Sequence, residues 1–194
     1  RLSLVGSEMC IRDSPRIDRH FFASVIGGIE SVAHAAGYSV LVSQSNERWE
    51  EEKNIVKTML AKKIDGLAIS LASETTDYKH FDAVISRGVP VVFFDRVPLD
   101  KRSSCVRIDN RTAAYNAVMH LIKQGCTRIV HLSGPQAISV YKDRQDGYVQ
   151  ALMDSDIRVD SSLIFENSIT LATGEEAGKK ILAMPVLPDA IFSA

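Results

Sequence analysis

The stretch Pro90-Val91-Val92-Phe93-Phe94-Asp95-Arg96 constrains the fold more than any other part of the chain. Val-Val-Phe-Phe has no polar side to turn to water. As a strand it needs cover on both faces, which is the situation in a parallel sheet flanked by helices. Such sheets bind ligands just outside the carboxyl ends of their strands, and Asp95 and Arg96 stand at that end. A carboxylate acceptor beside a fork of donors suits a polyhydroxylated small molecule. Asp95 as a turn cap and Arg96 as a solvated surface residue fit the same pattern, and the stretch by itself leaves both open.

The residues around this strand repeat its context. Asp18 is a fitting N-cap for a helix over 21–36, with Phe22, Val25, Ile26, Ile29, Val32, Ala33 and Ala36 as its buried stripe and Gly37 as its end. A strand over 39–43 and a polar turn lead to a helix that carries Ile55, Val56, Met59 and Leu60 inward. The acids Glu47, Glu50, Glu51 and Glu52 read as its solvated, dipole-favoured start. A strand at 67–70, a helix ending at Arg87 with Phe81, Val84 and Ile85 inward, and the strand at 91–94 follow. After a polar connection over 97–104 the alternation restarts. A strand at 105–108 ends in Asp109-Asn110, then come a helix over 112–124, a strand over 128–133, a helix over 139–153, a short strand at 163–165, a helix capped by Thr173 and a strand over 190–194. Strands alternating with helices through short loops predict right-handed crossovers and doubly wound parallel sheets. The restart predicts two α/β lobes, 15–109 and 110–194, the second incomplete, with a cleft between them.

Charge and cysteine usage narrow the functional classes. A net charge of −1 over 194 residues gives no basic surface of the kind nucleic acid needs. No apolar run approaches the roughly 20 residues of a membrane span. Cys10, Cys105 and Cys126 show no pairing or zinc spacing, and His34, His80 and His120 show no metal-ligand spacing and read as ordinary helix residues. No Gly-x-Gly-x-x-Gly, phosphate-binding loop or Gly-x-Ser-x-Gly occurs, so neither an enzyme nor a cofactor is expected. Residues 1–14 fit poorly with the rest. Ile11-Arg12-Asp13-Ser14 interrupts any buried-strand pattern, and the segment resembles translated sequencing-adapter read-through. It is therefore expected to be a non-native extension outside the fold.

Five phrases then read together: Asp18-Arg19-His20-Phe21-Phe22 with Gly28-Ile29-Glu30; Ile64-Asp65-Gly66; Gly88 to Arg96; Asp109-Asn110 with Ala114-Tyr115 and His120-Leu121-Ile122; and Gly134-Pro135 with Arg144-Gln145-Asp146-Gly147-Tyr148. In this order the set resembles the ligand-binding and dimerisation region of LacI/GalR-family transcriptional regulators, which share a fold with periplasmic sugar-binding proteins. The resemblance runs from about Pro15 to Ala194. It implies a periplasmic-binding-protein-like type I fold and a small effector, a sugar or sugar derivative, held in the cleft. It also implies a cytoplasmic homodimer that reaches operator DNA only through a helix-turn-helix headpiece absent from this chain. Carried over by motif, Phe21 and Phe22 would pack on the ligand, Phe21 being out of phase with the core stripe and the better candidate. Asp18 and His20 would line it, although the family usually has Asn and Pro at these two places. Asp95 and Arg96 would bind hydroxyls, Asp109 would stand at the lobe crossing, and Arg144 would reach the ligand with a bidentate fork. An extracytoplasmic sugar-binding protein of a transporter is the alternative on the same fold.

Overall fold

A computed structural model of the protein describes residues 8–12, 20–98 and 104–193, without the side chains of 8–12 and of His20. It divides into two compact units, Arg1–Arg107 and Ile108–Ala194.

In the first unit the elements run β1 (Glu8–Arg12), α1 (His20–Ala35), β2 (Ser39–Ser43), α2 (Trp49–Ala61), β3 (Gly66–Ile69), a 3-10 turn over Lys79–Phe81 leading into α3 (Asp82–Ile85), β4 (Val91–Phe94) and β5 (Ser104–Val106). The five strands are parallel, in the order β2-β1-β3-β4-β5. Strand alternation sends Leu67, Ile69, Val91 and Phe93 to one face. There they meet Val56 and Met59 of α2 and Phe81 and Val84 of the α3 region. Ala68 and Phe94 go to the other face, against Phe22 and Ile26 of α1. The sheet is thus covered on both sides by apolar stripes at helical spacing. Val92 is the exception: α1 covers its neighbours Ala68 and Phe94 and leaves Val92 exposed.

The expectation that residues 1–14 stand outside the fold is corrected for Glu8–Arg12. This segment fills the sheet position between β2 and β3, pairing Cys10 with Leu41 and Leu67. Side-chain pattern argued against a strand there, but the ladder is made by backbone groups that every residue carries. Several smaller expectations also change. Val32 and Ala36 lie at the margin of the α1 stripe and are exposed, as is Ile85. The strand expected at 105–108 is Ser104–Val106, and α4 begins at Asn110, two residues before Thr112. Most of the 97–104 connection lies outside the described residues.

The second unit contains α4 (Asn110–Lys123), β6 (Ile129–Leu132), α5 (Ser139–Asp154), a 3-10 turn at Ser161–Leu163, β7 (Ile164–Phe165), α6 (Leu171–Leu182) and β8 (Ala190–Ser193). The parallel order β7-β6-β8 repeats the β2-β1-β3 arrangement. Ile129 packs with Val118 of α4 and with Tyr148, Ala151 and Leu152 of α5, while Val130 packs with Leu163 and with Ile181 of α6. Helix α6 is capped one turn earlier than expected. Thr170 is the N-cap, and Thr173 answers it as the other half of a capping box.

Candidate functional site

In both units the strand order reverses at the first strand, between β1 and β3 and between β6 and β8. Open α/β sheets hold ligands at such a reversal, just outside the carboxyl ends of the strands. Polar side chains collect after the strands of the first unit and around Asn110 in the second.

In the first unit the backbone is distorted at these ends. Asn46 and Glu47, just after β2, and Asp95, just after β4, have φ of 53°, 65° and 58°. A side chain in this left-handed region costs on the order of 1–3 kcal/mol and persists where the surroundings over-determine it. The surroundings are visible. The Asp95 N–H donates to the Val106 carbonyl at 3.1 Å, and the Leu71 N–H donates to the Arg96 carbonyl at 3.2 Å. Asp95 is half-buried at the tip of β4, while Arg96 is buried. Arg96 Nη1 donates to Glu47 Oε2 at 2.6 Å and to the Leu71 carbonyl at 3.4 Å, and the same Glu47 oxygen accepts the Ser73 N–H at 2.8 Å. Arg96 is thus neither solvated nor turned wholly outward. Its guanidinium ties the turns after β2, β3 and β4 together.

Glu52 corrects the solvated-face reading of the acidic run. It is fully buried and accepts from the Ala72 N–H (2.9 Å), the Thr75 hydroxyl (2.9 Å) and His80 Nε2 (2.7 Å). His80 is therefore a structural partner rather than an ordinary helix residue, and its ring lies 3.9 Å from that of Phe81. Glu50 and Glu51 do lie on the outer side, paired with Lys53 and Arg48.

The two phenylalanines separate as their phase requires. Phe22 is 4% exposed and sits edge-on to Phe94, with centroids 6.4 Å apart, whereas Phe21 is 49% exposed and edge-on to Phe22 at 5.1 Å. Phe22 is a core residue and Phe21 offers an open ring. Asp18 lies outside the described residues, as does the side chain of His20.

In the second unit Asp109 and Arg144 flank Asn110. Asp109 is exposed and caps α4, its carboxylate accepting from the Thr112 N–H (3.0 Å) and hydroxyl (2.8 Å). Arg144 projects from α5, and its Nε donates to Asn110 Oδ1 at 2.9 Å. Beneath it, His131 of β6 is fully buried between the rings of Tyr148 and Phe192, with centroids 5.0 and 4.9 Å away. Its Nδ1 faces the Phe192 carbonyl at 3.2 Å, so Nδ1 carries the hydrogen, and the buried Nε2 has no partner among the described residues. Burial pushes its pKa down to about 4, and the nearby Arg144 charge acts in the same direction, against the Phe192 hydrogen bond. Burial also pushes the Tyr148 phenol up to about 12, and its hydroxyl donates to the Ile129 carbonyl at 2.8 Å.

Glu47, Glu52, His80 and Asn110 escaped the sequence reading. Their long-range partners lie 20 to 49 residues away, and no local spacing signals such pairs. Only the position of Glu47 just past a strand end hinted at a role. Among the described residues no group of three or more His, Cys, Asp or Glu side chains could hold a metal ion.

Two parallel α/β units of this topology define a periplasmic-binding-protein-like fold. The chain belongs to the periplasmic binding protein domain family, which matches residues 14–193. Its relatives are LacI-type transcriptional repressors. It is 34% identical over 181 residues to the HTH-type transcriptional repressor CytR of Escherichia coli, covering 92% of this chain and 52% of that protein. Among solved structures, a putative ribose operon repressor from Burkholderia thailandensis superposes with a TM-score of 0.84 at 25% identity, covering 96% of this chain and 68% of that one. A transcriptional regulator CelR–cellobiose complex superposes with a TM-score of 0.83 at 24% identity, covering 96% and 58%. The chain spans about half the length of the curated relatives it matches.

Proposed function

We propose that this chain is the effector-sensing region of a cytoplasmic, homodimeric transcriptional repressor that answers to a carbohydrate or carbohydrate-like small molecule. The observation that carries this reading is the 34% identity to a repressor, sustained over 92% of the chain. The cellobiose bound in one structural relative supports the class of ligand. No described helix is long and apolar enough to cross a membrane.

Each unit supplies part of the recognition. From the first, Asp95 offers acceptors from a tip fixed by its own strained backbone, and Phe21 offers an exposed ring for the C–H face of a sugar. Arg96 serves mainly to hold that tip in place. From the second, Arg144 offers donors, with Asp109 beside it. Asp18 and His20 belong to the same proposed ligand set. An effector that prefers one arrangement of the sensing region shifts its population and, through the dimer, the affinity of a DNA-reading headpiece for its operator.

The test is a thermal-shift screen of the full-length protein with mono- and disaccharides and with nucleobases. A ligand that binds only the folded state raises the midpoint. A sugar that raises it, and that also changes operator affinity, is the expected result. Stabilisation by nucleobases alone would overturn the carbohydrate assignment.

A further inference from the structure

We propose that Asn110 is a positioning residue whose side chain sets the plane of the Arg144 guanidinium and so decides which pair of ligand oxygens Arg144 can grip. The inference rests on the reading that Arg144 binds the effector, and three features of the second unit lead to it.

The first is the amide itself. Asn110 is 4% exposed, and its Nδ2 donates to the Ile108 carbonyl at 3.4 Å, which leaves Oδ1 as the acceptor for Arg144 Nε at 2.9 Å. The second is the fixed position of Asn110. It is the first residue of α4, directly after the Asp109 cap whose carboxylate closes on Thr112, so it enters the helix at one angle. The third is the close approach of the two helices. A Cβ at Gly147, one turn beyond Arg144 on α5, would collide with the Arg111 carbonyl and come within 2.9 Å of the Tyr115 nitrogen. The bare α5 backbone at Gly147 therefore lies against the first turn of α4, and this contact brings Arg144 within reach of the residue preceding Arg111.

The chemistry follows from the shape of the guanidinium. Its five donors lie in one rigid plane. Asn110 takes the Nε–H and thereby fixes the rotation of that plane. The Nη1 and Nη2 hydrogens have no hydrogen-bond partner among the described residues. They form the outer edge, two parallel donors suited to two adjacent oxygens such as a vicinal diol of a sugar ring or a carboxylate. Were Nε free, Arg144 could turn and present its Nε–Nη side instead, and the preference among ligand oxygens would blur.

The experiment has two arms on the full-length protein. Nitrogen-15 NMR of the arginine Nε–Hε groups reads the contact without ligand: a protected Arg144 signal is expected in the wild type, lost in Asn110→Ala and retained in Asn110→Asp, which keeps an acceptor oxygen. Calorimetry with D-ribose and cellobiose as probes reads the consequence. Asn110→Ala is expected to weaken binding roughly tenfold in the wild-type background and not at all in Arg144→Ala, as coupled residues do. An unchanged Arg144 signal in Asn110→Ala, or an equal loss of affinity in both backgrounds, would overturn the proposal. Unchanged affinity in Arg144→Ala, or no binding of either sugar, would instead overturn the reading beneath it and take the proposal with it.

Discussion

Arg96 lies two residues past β4 with its guanidinium buried against Glu47 and the Leu71 carbonyl, and Asp95 beside it holds a left-handed backbone at the half-buried tip. In sequence the two residues looked like one polar pair, and only long-range partners single out Arg96 as a brace. Asp95→Ala is expected to weaken effector binding by roughly 1.5–3 kcal/mol, the range for hydrogen bonds to charged groups, and Arg144→Ala by a similar amount. Titration calorimetry checks both. His131 gives a prediction of a different kind. Its folded pKa of about 4 lies below the ordinary histidine value of 6.5, so the unfolded chain binds the proton more readily. Stability is fully present above about pH 6.5 and falls as pH drops toward 4. The expected loss between pH 7 and pH 5 is about 2 kcal/mol. His131→Gln, which cannot titrate, should flatten this part of the profile in denaturant melts at the two pH values. An unchanged slope would show that the acid sensitivity lies elsewhere.

At the scale of elements, the strand–helix alternation was legible because apolar periodicity records how each element meets the core. The stripe of Phe22, Ile26 and Ala33 and the run Val91–Phe94 both did so. β1 was not legible, since its place in the sheet rests on backbone pairing that side chains do not announce. The acidic start of α2 was legible only in part. Dipole preference accounts for Glu50 and Glu51, but Glu52 faces inward to Ala72, Thr75 and His80. Glu52→Ala leaves a buried N–H, a hydroxyl and a histidine without their acceptor, and is expected to cost about 3 kcal/mol in urea unfolding. Glu50→Ala, on the exposed side, should cost less than about 0.5 kcal/mol. The α4–α5 contact gives a matching test. Gly147→Ala gains up to about 1 kcal/mol of helix propensity but forces a methyl into the Arg111 carbonyl and the Ala114 side chain. Overpacking of this kind costs about 1–3 kcal/mol, so a lower melting temperature is expected and an unchanged one would contradict the close approach.

Over the whole molecule, the family and the α/β architecture were readable from five short phrases in order, because each phrase marks a strand end or a helix start that the fold needs. The candidate site residues were less readable. Asp95 follows β4 directly and Asp109 caps α4, while Glu47 meets Arg96 and Asn110 meets Arg144 only through folded structure. We propose that the intact protein senses a carbohydrate through Arg144 and Asp95. Calorimetry of the full-length protein with the sugar that most raises its melting temperature tests this most directly, on the wild type, Asp95→Ala and Arg144→Ala in parallel. Saturable binding by the wild type, weakened at least about tenfold in each variant, is expected. Wild-type affinity in both variants, at unchanged melting temperature, would contradict it.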